Sequence, residues 1–404
     1  MNPEGVTLFL TREEEKMLVG EHGPAVAKSM ELLVAVGEIF EAEKLTLIES
    51  AHVSGVSYKN LGEAGLEYLE EQANLGPKVR VKTTLNPAGM DLENWMDLGV
   101  PKSFAVRQMR VINAFKSMGI EATCTCTPYL VGHTPRFGSQ IAWAESSAIA
   151  YSNSVIGART NRESGPTTLA SAITGRAPLC QYRLDENRTP QMVVVVDAKL
   201  ATPFDYSALG YLVGEKLGSA VPYFRGIRHP DLESLKALGA AAATSGGVAL
   251  YHIEGVTPEA LRFSEDVLKG LEKIRVDEKE LREASLRLSS DVEDPVICLG
   301  CPHCSLRELE HYAKLLKERR LRRRLMAFTS RGVYDQAERG GYVKDIERAG
   351  GRVFRDTCMV VAPLKEMGWR EITTNSFKAA HYALGMGITT RLDSAEQVLR
   401  GAST

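Results

Sequence analysis

At 404 residues, with 44% hydrophobic and 25% charged content, the chain is long enough for two or three packed lobes and has an ordinary globular composition. Its 49 basic and 51 acidic residues leave a formal charge of -2, which excludes a nucleic-acid or membrane-surface protein that depends on bulk positive charge. Any anion it binds must be held by a local site.

In chain order, Thr11 followed by Glu13, Glu14 and Glu15 has the pattern of a helix N-cap with an acidic first turn, opening one amphipathic helix that runs on to residue 40. A short apolar strand is expected at 45–48 and a polar loop at 50–58. A helix over about 63–74, a strand at 79–83 and a turn at 86–89 follow. The rhythm continues with a helix at 107–118, a strand at 121–126, a helix near 139–152 and a strand at 192–196. After Asp294-Pro295 come a strand at 296–299, a helix at 306–325, a strand at 324–329 and another at 353–356. The run 317–324, with five arginines, is expected as the solvated side of that helix. Such alternation predicts an α/β chain with a mostly parallel sheet in each lobe. The expected lobes are 1–118, 119–285 and 286–404.

No stretch is long and apolar enough to span a membrane, and residues 1–20 lack the pattern of an export signal, so the expected place is the cytoplasm. Seven cysteines, an odd number without such a signal, argue for metal ligands or buried thiols rather than a disulfide framework. In alternating α/β lobes, ligands bind beyond the carboxyl ends of strands. Cys124 and Cys126, then Cys298, Cys301 and Cys304, then Cys358 all follow or end expected strands. Cys298-Leu-Gly-Cys301-Pro-His-Cys304 has ferredoxin-like spacing that also suits zinc, which leaves open a non-catalytic zinc or electron-transfer protein. The other arrangement takes one thiolate from each of three places and leaves one iron of a cubane free for substrate.

Ile156 to Thr167 carries Arg159, Asn161, Arg162 and a helix start with Pro166 near its first turn, a pattern suited to cradling a carboxylate or phosphate. Among the histidines in polar segments, at 52, 303 and 381, His52 is the best candidate for function.

Several segments together resemble the large-subunit, catalytic part of aconitase X proteins. They are Ala51-His52-Val53-Ser54-Gly55-Val56-Ser57-Tyr58, Thr84-Leu85-Asn86-Pro87, Cys124-Thr125-Cys126-Thr127-Pro128-Tyr129, Trp143-Ala144-Glu145-Ser146-Ser147-Ala148, Gly157-Ala158-Arg159-Thr160-Asn161-Arg162-Glu163, Gly300-Cys301-Pro302-His303 and Asp356-Thr357-Cys358. The likeness implies three aconitase-like α/β/α lobes around a central iron-sulfur site, and a separate small subunit that carries a catalytic serine. It implies a 4Fe-4S cluster with one open iron, held by Cys126, Cys301 and Cys358, with Cys124 as rival for the first position. The implied activity is that of a hydro-lyase. Members of the family dehydrate mevalonate 5-phosphate or cis-3-hydroxy-L-proline. The expected substrate here is (R)-mevalonate 5-phosphate, giving trans-anhydromevalonate 5-phosphate. Arg159, Asn161, Arg162, Thr84 and Asn86 are the candidate substrate contacts, and Ser147, His52, Ser376 and Lys378 the candidates for orientation or proton handling.

Overall fold

A computed structural model describes residues 8–403. The first seven residues, part of the stretch read for an export signal, and Thr404 lie outside the described residues. Three sheets, each parallel throughout, organise the chain. The first orders its strands Lys82–Leu85, Ser50–Val53, Ala142–Trp143. The second runs His252–Ile253, Pro222–Arg225, Met192–Val196, Lys273–Val276, and the third Gly351–Arg355, Leu325–Thr329, Val296–Cys304, Glu371–Thr374, Thr389–Leu392. A small antiparallel pair, Leu45–Leu47 with Arg176–Pro178, lies apart from them. The expected α/β class is therefore the observed one.

Strands covered on both faces must be apolar along their whole length, and Val296–Cys304 and Leu325–Thr329 are buried at every position. Ala142–Trp143 pairs with Ala51 and His52, so the first sheet draws on chain from both sides of residue 118. Among the described residues no helix is long and apolar enough to cross a membrane.

Thr11 caps its helix as expected, in a full capping box with Glu14, but that helix ends at Leu18. Gly20 and Gly23 take left-handed φ values of 92° and 94°, and Pro24 opens a second helix, Pro24–Ile39. The helix expected over 139–152 is instead the strand Ala142–Trp143 followed by the helix Ser146–Tyr151, because the Glu145 side chain accepts from the Ser147 N–H and starts the helix there. The strand expected at 121–126 forms only a single bridge, Glu121 to Thr84, since Cys124 has a φ of 43° that no ladder accommodates. The helix expected to reach 325 ends at Leu315, and the basic run is a connecting loop in which Glu318 has a φ of 63°.

Candidate functional site

The carboxyl ends of the first and third sheets face one another across a cavity of about 610 Å³. Ser54 and Gly55 follow the strand Ser50–Val53, Asn86 and Pro87 follow Lys82–Leu85, and Ala144 and Glu145 follow Ala142–Trp143. From the third sheet come Cys301 within Val296–Cys304, Cys358 after Gly351–Arg355, and Lys378 after Glu371–Thr374. Cys126 also lines it. Strand ends deliver both unused backbone groups and helix N-termini to one place, which is why such crevices bind ligands. Gly300 makes the presentation of Cys301 possible: its φ is 98°, and a Cβ there would lie 2.1 Å from the Phe328 carbonyl oxygen.

Cys126, Cys301 and Cys358 are free, buried thiols. Burial pushes Cys126 well above its ordinary value, Cys301 up to about 12, and Cys358 upward as well. Nearby polar groups nevertheless favour the thiolates. The His303 N–H donates to Cys126 Sγ at 3.2 Å, while Ser376 beside Cys301 and the backbone of Val360 and Val361 beside Cys358 oppose the rise at those two sulfurs. Cys124 sits in a hydrophobic core with Leu85, Val111 and Phe115. The local loop does not converge: Cys298 and Cys301 belong to one core cluster, Cys304 to another beside Leu309 and Tyr312. Among the described residues no group of three or more His, Cys, Asp and Glu side chains is arranged to grip a single metal ion.

Glu145 and Lys378 form a buried ion pair at the cavity. Lys378 Nζ also lies 3.4 Å from Ser147 Oγ and 3.5 Å from Ser146 Oγ, and Ser147 Oγ donates to Glu145 Oε1 at 2.8 Å. Burial alone would lower Lys378, but the Glu145 carboxylate, with Cys301 and Cys126 behind it, outweighs burial and holds the ammonium above its usual value. A second ammonium, Lys59, lines the cavity and donates to the carbonyls of Val360 at 3.2 Å and Ala362 at 3.1 Å. Ser376 caps the helix Phe377–Gly385 through the Ala379 N–H at 3.1 Å.

Of the expected substrate contacts, only Asn86 lines this cavity, and its buried Oδ1 has no hydrogen-bond partner. Thr84 stands behind it, its Oγ1 between His52 Nδ1 at 2.8 Å and His133 Nδ1 at 2.7 Å. The arginine cradle does not form there. Arg159 binds the Arg183 carbonyl at 3.3 Å and pairs with Asp185, Asn161 donates to Cys180 Sγ at 3.5 Å, and exposed Arg162 lines a separate open depression with Gln181 and Tyr182. The helix start does approach the cavity, since a Cβ on Gly165 would lie 2.7 Å from the Ser54 carbonyl, but Ser164 and Thr167 already cap it. His381 binds Tyr211 Oη at 2.9 Å, away from the thiols. Glu145 and Lys59 were missed in the sequence. The one signal for Glu145 was an acid set directly after the apolar Ile141-Ala142-Trp143-Ala144.

Burial drives His52 and His133 down to about 3 and His252 down to about 4, so all three are neutral in the fold at neutral pH. Below their ordinary value of 6.5 the unfolded chain binds protons that the fold refuses. Their contribution is complete above that value and is lost as pH falls toward the folded values. The thermal midpoint of the metal-free chain, followed by circular dichroism, should drop on the order of 10 °C between about pH 7 and pH 5. A flat profile would mean that the rings are solvated.

Comparison with known proteins divides the chain as its three parallel sheets do. Models of the first, second and third domains of aconitase X match residues 7–186, 190–285 and 295–404. The phosphomevalonate dehydratase large subunit of Methanocaldococcus jannaschii is 49% identical over 383 residues, covering 93% of this chain and 95% of that one. The cis-3-hydroxy-L-proline dehydratase of Pseudomonas aeruginosa is 37% identical, covering 92% of this chain and 66% of that one. A crystal structure of Thermococcus kodakaraensis aconitase X in its holo-form, 45% identical, superposes with a TM-score of 0.92 over 98% of this chain and 100% of that chain. With all three domains matched in order and a full-length structural counterpart, the chain belongs to the aconitase X family.

Proposed function

We propose that the chain is the large subunit of a cytoplasmic hydro-lyase that dehydrates (R)-mevalonate 5-phosphate to trans-anhydromevalonate 5-phosphate, with Cys126, Cys301 and Cys358 holding a 4Fe-4S cluster and a separate small subunit completing the site. The observation that carries this reading is the convergence of three buried thiols, from three separate segments of the chain, on a cavity that also holds two ammonium groups. The donor set fits such a cluster: the sulfurs are soft, Cys126 Sγ accepts a hydrogen bond that favours its thiolate, and three of them leave one iron without a protein ligand. When bound, the cluster supplies a Lewis acid for the substrate's hydroxyl and carboxylate. The M. jannaschii relative, matched nearly end to end, is by name a large subunit, which supports a small-subunit partner.

The chain's own residues supply binding and orientation. Lys378, kept cationic by Glu145, is a poor proton donor and a good partner for a carboxylate. Glu145 holds both Lys378 Nζ and Ser147 Oγ, so the ammonium and the hydroxyl keep a fixed direction into the site. Asn86 brings an amide side chain to the same cavity. Lys59, at the same cavity, suits the phosphate. Two separate cations match a substrate with anionic groups at both ends, whereas a hydroxyproline needs one cation and a place for its ring ammonium.

Co-expression with the small subunit, anaerobic reconstitution and assay of both substrates test this. Iron and sulfide in near-equal amounts and turnover of mevalonate 5-phosphate are expected. Lys59→Met should raise KM about ten-fold or more, the loss of one charge-assisted contact, while Arg162→Lys leaves it within about two-fold. A zinc-only protein, or efficient turnover of cis-3-hydroxy-L-proline alone, overturns the assignment.

A further inference from the structure

The three segments that carry Cys126, Cys301 and Cys358 share one buried side chain that the chemistry above does not use. His303 follows Cys301 by two positions and is fully buried. Its backbone N–H donates to Cys126 Sγ at 3.2 Å. Its ring reaches both other segments, with Nδ1 3.0 Å from Thr125 Oγ1 and Nε2 2.9 Å from the Thr357 carbonyl oxygen. Thr125 immediately precedes Cys126, and Thr357 immediately precedes Cys358.

We propose that His303 is a positioning residue that brackets the three thiol segments and sets the spacing at which they hold their cluster; this rests on the function proposed above. A carbonyl oxygen only accepts, so Nε2 carries the ring proton and Nδ1 accepts from the Thr125 hydroxyl. Thr125 Oγ1 in turn accepts the Thr127 N–H at 3.1 Å, which orients the hydroxyl. One tautomer therefore satisfies every polar atom of the residue. His52 and His133 differ, since each leaves its buried Nε2 without a partner. The bracket also spans two bodies of structure, because Cys301 and Cys358 ride on the third sheet while the Cys126 loop runs beside the first, where Thr125 N–H binds the Leu85 carbonyl at 2.9 Å. Ligand geometry must be held to within about 0.5 Å, and residues outside the ligand set that orient it are worth about 10–100-fold in metal affinity.

The test compares His303→Ala, Thr125→Val and Thr125→Ser with the unaltered chain after anaerobic reconstitution in the presence of the small subunit. Iron and sulfide per chain, the rate of cluster loss to a chelator by visible absorbance, and the electron paramagnetic resonance spectrum of the reduced cluster are read. The melting profile of each metal-free chain serves as the folding control. His303→Ala should lose its cluster about ten-fold faster or more, with an altered spectrum, and added imidazole should slow that loss. Thr125→Val should move the same way, because it keeps shape and removes the hydroxyl, while Thr125→Ser should behave as the unaltered chain. If His303→Ala does not fold, the contrast between the Val and Ser variants decides. Unchanged spectra and loss rates in the Ala and Val variants would reduce His303 to an ordinary core residue and overturn the bracket alone. An unaltered chain that takes up no iron and sulfide would remove the cluster itself, and the bracket with it.

Discussion

Cys301→Ser and Cys358→Ser should each give a folded chain that retains little iron or sulfide and, with its small subunit, turns over at a rate lower by on the order of 10³-fold or more. Each thiol is one of three lining the cavity, and a serine hydroxyl is a hard, weakly acidic donor where a soft thiolate is needed. The loss must exceed the ~10–100-fold that follows removal of a residue merely hydrogen-bonded to a ligand. Cys304→Ala is the matched control. Its sulfur packs among Ile297, Leu309 and Tyr312, so the change removes one buried atom at a cost of about 1 kcal/mol and leaves metal content unchanged. Iron and sulfide analysis with kcat on the same preparations distinguishes the two outcomes. A Cys304 variant that loses its iron while Cys126 and Cys358 variants keep theirs would restore the local three-cysteine loop and remove the arrangement argued for here.

The strands that build the site were legible because parallel strands are short, apolar and bounded by turn residues; Met192–Val196 lies where it was expected. Boundaries failed where one residue overrode the local pattern. Residues 142–148 have the charge-poor composition of a buried helix, but pairing of Ala142 and Trp143 with Ala51 and His52 claims the first part for the sheet. Cys124 has a left-handed backbone that apolar periodicity does not register. The second sheet's later strands were not anticipated, since His252–Ile253 is two residues long and the Ala-rich helix Leu232–Ser245 is buried over most of its length, without an amphipathic stripe.

The site was half legible for a different reason. Cysteines in strand-end loops announce themselves by type, and the likeness to aconitase X singled out the three that line the cavity. The arginines were assigned by composition, which gives charge but not direction. Arg159 meets Asp185 and the Arg183 carbonyl, partners that lie downstream in the sequence, so nothing in residues 156–167 reveals that its charge is already engaged. Glu145 is the converse case. Its partner Lys378 is 233 positions away, and only the facing of two sheets brings them together.

That pairing sets the last expectation. Lys378→Met should abolish turnover and also destabilise the chain by roughly 3–5 kcal/mol, because Glu145, itself buried, loses the cation opposite it. Stability and catalysis can be separated by a second change. Glu145→Gln on the Lys378→Met background removes the orphaned charge; the amide oxygen can accept from the Ser147 N–H while the amide NH2 donates to the Ser147 hydroxyl oxygen, the two groups that now bind separate carboxylate oxygens. The double variant should therefore recover most of the lost stability in a urea melt while remaining inactive, since no ammonium stands at the thiol cavity to meet the substrate carboxylate. The measurement is the chevron-free equilibrium midpoint together with kcat/KM for mevalonate 5-phosphate. Recovery of both stability and turnover in the double variant would show that Lys378 serves only to neutralise Glu145, and that the substrate's carboxylate is met elsewhere.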